Sequence, residues 1–223
     1  LSKRHPFKAI IFDHDGTLID TESQDFLSCQ MLFAEHRATL TLAHWAEHIV
    51  GRTGGYERLL DELAQASGNG LTREVLWARL RELWDINLEN VSPMPHVERI
   101  VPALHAADYP LGVATASDQQ WAHRWLGKFN LLPYFQVIAT RDQVGRNKPA
   151  PDVYLFAAAE LGVQPEHCLV FEDSLAGVQS AKAAGMTVVA VPNAVTKTLD
   201  FSQADKIITG LEGITPAWIQ TLA

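Results

Sequence analysis

The stretch Ala9 to Glu22, AIIFDHDGTLIDTE, restricts the fold more than any other part of the chain. Ala9-Ile10-Ile11-Phe12 is a continuous apolar run, without the alternation of a strand that shows one face to water. Runs of this kind belong to strands covered on both sides, as in parallel sheets sandwiched between helices. The run ends in Asp13 and Asp15, followed by Gly16 and Thr17. Residues two apart on an extended chain point the same way. Both carboxylates can therefore face one small space beyond the strand's carboxyl end, where open α/β sheets keep their ligands. A solvated turn can also read Asp-x-Asp-Gly. A buried strand leading into the acids favours chemistry.

After Glu22 the chain turns helical until about Asn90. Phe26, Cys29, Leu32 and Phe33 form one apolar face; Leu59, Leu60, Leu63 and Ala64 form a second; Leu76, Leu80, Leu83, Trp84 and Ile86 form a third. Gly51, Gly54 and Gly55 separate one helix from the next, as do Gly68 and Gly70. Val91-Ser92-Pro93-Met94-Pro95 reads as a hinge, because paired prolines stop a helix and stiffen a connection. From Val97 onward helices alternate with short apolar strands at Leu111–Thr115, Val137–Ala139, Cys168–Phe171 and Thr187–Val191, with an edge strand at Ile207-Ile208. Repeated strand–helix units imply a parallel sheet with right-handed crossovers. The expected fold is thus α/β: a Rossmann-like parallel sheet core, residues 1–20 and 94–223, interrupted by an all-helical domain, residues 21–93.

The remaining strands also end in functional groups. Thr115-Ala116-Ser117 closes one strand immediately before a helical pattern, and a hydroxyl beside fresh helix amides makes an anion site. Ser117 or Asp118 as a plain helix cap is the competing reading. Lys148 lies in KPAPD after the third strand, held by prolines where a surface lysine would roam. Glu172 and Asp173 end the fourth strand, and like charges buried side by side require a cation.

In order and spacing this arrangement resembles the haloacid dehalogenase-like hydrolase superfamily. Asp13-x-Asp15-Gly16-Thr17 matches its first motif, Thr115 its second, Lys148 its third and Glu172-Asp173 its fourth. KPAPD and FEDSLAGVQSAKAAGM look especially like the branch containing β-phosphoglucomutase and small sugar-phosphate phosphatases, in which the helical insert is a cap over the site. The resemblance implies Asp13 as a nucleophile forming an aspartyl phosphate and Asp15 as general acid and base. It implies Mg²⁺ held by Asp13, Asp173 and the backbone carbonyl of Asp15, with Glu172 acting through water. Thr115, Ala116, Ser117 and Lys148 would hold the phosphoryl oxygens, and His14 and Arg52 are candidate substrate contacts. His14 stands where relatives usually carry an apolar or small residue, and a hydrogen-bonded structural histidine is the alternative. Arg52, between Gly51 and Gly54-Gly55, is either a substrate contact or a solvated arginine.

Absent residues separate the branches. Metal-free dehalogenases lack the second aspartate, and phosphonate-cleaving relatives need a cap lysine. This chain has Asp15 and no lysine between Lys8 and Lys128. Mutase relatives carry a histidine where Asp25 aligns and an arginine where Gly54 aligns. An anionic Asp25 would repel a second phosphate. The expectation is a Mg²⁺-dependent phosphatase for a small phosphorylated metabolite, a sugar phosphate, with a phosphoglucomutase-type isomerase as the alternative and an idle binding protein as a remote one. A net charge of −8 argues against nucleic-acid and anionic-membrane partners, so a phosphate ester must be drawn by a local cation. Cys29 and Cys168, the only cysteines, read as buried thiols of a reducing cytoplasm. No apolar run reaches the length of a membrane span, and a cytoplasmic monomer is expected. His44 and His48 in HWAEH do not form HExxH, show no third ligand in the sequence, and read as surface histidines. Trp121 and Trp125, four apart, read as core packing.

Overall fold

The computed structural model describes residues 7–49, 54–68 and 70–222. Among them, strands β1 (Ala9–Phe12), β2 (Leu111–Ala114), β3 (Val137–Ala139), β4 (Cys168–Glu172), β5 (Thr187–Ala190) and β6 (Lys206–Ile207) form a parallel sheet in the order β3-β2-β1-β4-β5-β6. The apolar run of β1 lies at its centre, with Ile11 opposite Gly112 on one side and Val170 on the other. The two-residue period divides this run between two cores. Ile10 and Phe12 pack with Leu111, Val113, Leu169 and Phe171 under helices α5 (Val97–His105) and α6 (Gln119–Lys128). Ala9 and Ile11 pack with Ala114, Cys168 and Val170 under α7 (Asp152–Glu160) and α8 (Leu175–Ala183). Phe12 and Phe171 stack across the β1–β4 pair with ring centres 5.1 Å apart, which seals the first layer just below the strand ends.

Between β1 and α5 the chain forms α1 (Glu22–Glu35), α2 (Leu42–Ile49), α3 (Gly55–Ser67) and α4 (Arg73–Asn87). These helices share an apolar cluster of their own, built on Leu32, Trp45, Leu59, Leu63, Leu80 and Leu83, to which the sheet half of the chain adds Val195. Ile86, expected on the buried face of α4, is instead 55% exposed. The buried stripe of that helix runs through Leu76, Leu80, Leu83 and Asn87, and Ile86 falls about 90° round the helix from its centre. Asn87 is satisfied by donating to the Ser28 hydroxyl at 2.9 Å, joining α4 to α1.

The start of α8 positions the fourth strand's acids. Ser174 caps it, its Oγ accepting from the Gly177 N–H at 3.1 Å. Gly177 brings the helix so close that a Cβ there would lie 1.5 Å from the Glu172 carboxylate. Gly177→Ala is therefore expected to cost about 1–3 kcal/mol through overpacking. Urea denaturation checks this, and an unchanged midpoint would mean that α8 does not close on Glu172.

Candidate active site

In the strand order of this sheet the direction of winding reverses between β1 and β4, and a crevice opens beyond their carboxyl ends. Asp13 and Asp15 leave β1 into this crevice, and Glu172 and Asp173 leave β4. Gly16 follows with φ +83°, and a Cβ there would stand 2.2 Å from Asp173 Oδ2. Only glycine lets the first loop pass so close to the fourth-strand acid.

Lys148 reaches into the same space with its side chain only 4% exposed. Its ammonium donates to Asp13 Oδ1 at 2.5 Å, Glu172 Oε1 at 2.7 Å and the Ala114 carbonyl at 3.0 Å. An ammonium has three protons, and these acceptors account for all of them. Tyr154 of α7 adds its hydroxyl, 3.1 Å from Glu172 Oε1 and 3.2 Å from Lys148 Nζ. The other Glu172 oxygen accepts from the Ser174 N–H at 2.7 Å and the Ser174 hydroxyl at 3.0 Å. Both oxygens of Glu172 are thus engaged in anchoring Lys148 and α8.

Asp173 accepts from Thr17 Oγ1 at 3.0 Å and from Asn193 Nδ2 at 2.7 Å. Asn193 also reaches the Gly16 carbonyl and Glu22 Oε2, each at 3.2 Å. Ligand oxygens of Asp13, Glu172 and Asp173 all lie within 4.8 Å of one another. Burial pushes Asp13 and Asp173 well above the usual carboxylate range; Lys148 opposes this at Asp13, while Glu172 adds to it at both. Glu22, beside Asp173, is pushed up to about 8, mainly by burial, against the hydrogen bonds of Asn193 and Asp173. Four carboxyl groups share a buried space with the single ammonium of Lys148. An all-oxygen donor set so crowded suits a hard divalent cation.

Asp15 contrasts with them. Its Oδ1 accepts from Thr21 Oγ1 at 2.7 Å and Trp121 Nε1 at 2.8 Å, and its Oδ2 from Ser117 Oγ at 2.7 Å. Thr115 Oγ1 is 3.4 Å from the same Oδ2. Burial raises its pKa, but the charge of the neighbouring His14 ring and the donated hydrogen bonds outweigh that and hold Asp15 well below the usual range. His14 itself is wholly buried, with Nδ1 3.2 Å from Asp15 Oδ1. It is not among the residues that line the cavity, so of the two readings the structural one holds, with the ring against Asp15.

The cavity above these groups is about 490 Å³. Asp13, Asp15, Thr115, Ala116, Ser117 and Lys148 line its floor, and Asp25, Trp45, Ile49, Tyr56 and Trp84 of the inserted helices face them. Asp118 supplies the cap of α6 by accepting the Trp121 N–H at 2.9 Å, which leaves the Ser117 hydroxyl for Asp15. Trp121 is not core packing alone: Trp125 is buried, whereas Trp121 lines the cavity and donates to Asp15. Arg52 lies outside the described residues. Tyr154 and Asn193 were not singled out from the sequence, and Glu22 entered only as the end of the first motif's stretch, with no role. Asn193 follows β5 as the other acids and hydroxyls follow their strands, and that placement was the available signal.

Comparison with known proteins agrees with this geometry. YhcW of Bacillus subtilis (strain 168), provisionally named a phosphatase, is 39% identical over 198 residues, covering 89% of each chain. The fructose-1-phosphate phosphatase YqaB of Escherichia coli (strain K12) is 32% identical over 83% of this chain and 96% of its own. A Thermotoga maritima structure, provisionally named a β-phosphoglucomutase, superposes with a TM-score of 0.75 at 26% identity, covering 96% of this chain and 97% of its own. The family model of the haloacid dehalogenase-like hydrolases matches residues 10–191, and the chain belongs to that family.

Proposed function

We propose that this enzyme is a Mg²⁺-dependent phosphatase that hydrolyses a small sugar phosphate through an aspartyl phosphate on Asp13. The observation that carries the reading is the convergence of Asp13, Lys148, Glu172 and Asp173 at the β1–β4 crevice, with Asp15 beside them under an aromatic roof. The name of the relative YqaB, a fructose-1-phosphate phosphatase, supports the substrate class. Residues 21–93 act as the cap and residues 1–20 and 94–223 as the catalytic core. Both cysteines are free, which fits a reducing cytoplasm. Among the described residues no helix is long and apolar enough to cross a membrane.

Asp13 attacks phosphorus, the P–O bond to the sugar breaks, and an acyl phosphate forms on the carboxylate. Lys148 pins one Asp13 oxygen and restricts rotation of the nucleophile. Asp15 gives a proton to the departing sugar oxygen and then takes one from the water that cleaves the acyl phosphate. Its low proton affinity leaves it ionised, with no proton for the first role and little basicity for the second. The approach of a phosphate dianion raises that affinity by like-charge repulsion, so that Asp15 takes up a proton from solvent, passes it to the departing sugar oxygen and recovers one from the attacking water. Asp13, Asp173 and the backbone carbonyl of Asp15 would hold Mg²⁺, which neutralises charge on the phosphoryl oxygens when bound. Thr115, Ala116 and Ser117, at the start of α6, receive those oxygens.

The roof reads the rest of the substrate. Tyr56 and Trp84, backed by the buried Trp45, offer flat apolar faces for the carbon face of a sugar, and Asp25 among them accepts a hydroxyl. Asp25 is itself held by donation from Trp84 Nε1 at 2.7 Å and from the Tyr56 hydroxyl. Burial nevertheless pushes it up to about 6. Ionised above that pH, it opposes entry of a second phosphate and favours water over a bisphosphate intermediate.

Two outcomes are expected. Asp13→Asn should lower phosphate release from a panel of sugar monophosphates at least about 10³-fold, while its urea midpoint stays at or above that of the wild type because a crowded charge is gone. Appreciable turnover by pure Asp13→Asn protein would remove Asp13 as nucleophile. For Asp25 the folded pKa is raised, so its ionisation opposes folding, and wild-type stability falls as pH rises from the ordinary 3.8 through about 6. Asp25→Asn should escape that loss, so its advantage in urea midpoint should widen across the same window. A pH-independent difference would show that Asp25 is not strained by burial.

A further inference from the structure

Away from the catalytic crevice, HWAEH places His44 and His48 one turn apart on α2. Their rings stack with centres 4.5 Å apart and 28° between planes. The third ligand missing from the sequence pattern comes from α3. Glu62 Oε2 lies 2.8 Å from His44 Nε2, and Glu62 Oε1 lies 3.1 Å from His48 Nε2. The other His48 nitrogen, Nδ1, is 3.0 Å from the His44 carbonyl oxygen, which can only accept. In the neutral ring the proton therefore sits on Nδ1, and Nε2 turns its lone pair toward Glu62. At 3.1 Å this nitrogen and the carboxylate oxygen need a cation between them, either a proton or a metal ion. An imidazole that donates its far N–H to a backbone carbonyl is also the usual arrangement around a bound metal. One ligand atom from each of the three residues lies within 4.8 Å of the others, and tetrahedral bonds of about 2.0–2.1 Å would set such atoms roughly 3.3 Å apart, a spacing that rotation of these partly exposed side chains can reach.

We propose that His44, His48 and Glu62 form a second metal site, for a divalent ion of the zinc class, that clasps α2 to α3. Two imidazole nitrogens with one carboxylate favour Zn²⁺, Ni²⁺ or Cu²⁺, whereas Mg²⁺ and Ca²⁺ prefer oxygen alone. The site is thereby distinguished from the all-oxygen cluster at Asp13. Three protein ligands leave the fourth position to water. The clasp joins the two helices that contribute Trp45, Ile49 and Tyr56 to the substrate cavity, so the ion stiffens that wall.

Calorimetric titration of the full chain with Zn²⁺, in excess Mg²⁺ to occupy the carboxylate cluster, tests the site without reference to catalysis. The wild type should bind one equivalent of Zn²⁺ and melt at a higher temperature with it. His44→Ala and His48→Ala should each weaken this binding at least about tenfold and abolish the melting shift. Glu62→Gln, which keeps the size of the side chain, should weaken it while leaving the metal-free melting temperature near that of the wild type. Undiminished Zn²⁺ binding in the histidine variants would place the ion elsewhere. Absence of binding by the wild type would leave the three residues as a protonated ion pair. Either result overturns the proposal.

Discussion

The ammonium of Lys148 is the interaction on which the site depends. It ties the end of β1 through Asp13, the end of β2 through the Ala114 carbonyl and the end of β4 through Glu172, with Tyr154 of α7 alongside. Three strands and a helix are thus brought to one positive charge at the point where the sheet reverses its winding. A buried pair of this kind contributes little net stability, but losing one partner leaves the other charge stranded at a cost of about 3–5 kcal/mol. Here the stranded charges would be Asp13 and Glu172 together, with Asp173 close behind. One lysine is not enough for so many carboxyls. That shortfall makes the crevice a place for a cation and for a reaction in which negative charge is moved.

The inserted helices answer a different need. Their apolar cluster is separate from the two that flank the sheet, so the surface they turn toward the crevice can vary without disturbing the core. Among the described residues what they present is aromatic and aliphatic apart from two acids, Glu22 and Asp25. The acids at the foot of the cavity, Asp13, Glu172 and Asp173, are buried, which strengthens each electrostatic contact there. On the proposed function, the floor handles charge and the roof recognises the organic part of the substrate.

How much of this could be read from the chain follows from the range of each signal. The strands were legible because a continuous apolar run reports burial on both faces locally, as β1 and β4 show. The acids and Lys148 were legible because they stand at strand ends, and the parallel order brings those ends together. Tyr154 was not, since nothing nearby in sequence links it to Glu172, and Asn193 carried only its place after β5, with its contact to Asp173 made by the folded sheet alone. Trp121 and Trp125 share a helical spacing, yet one indole N–H reaches Asp15 and the other ring is buried, a distinction that spacing does not carry. Glu62 was hidden for the same reason, because it meets His44 and His48 from a different helix. His14, open from the sequence between substrate contact and structural residue, is buried, because alternation along the chain turns it away from the cavity.

The central claim is that Asp13 becomes covalently phosphorylated and is then released by water. Rapid mixing of enzyme, Mg²⁺ and a turned-over sugar monophosphate, stopped in acid within one turnover and followed by peptide mapping, tests it most directly. The account predicts one phosphoryl group on the peptide that contains Asp13, formed and lost fast enough to support turnover. A phosphoryl group on a different residue, or free phosphate appearing with no labelled peptide at any time, would contradict it.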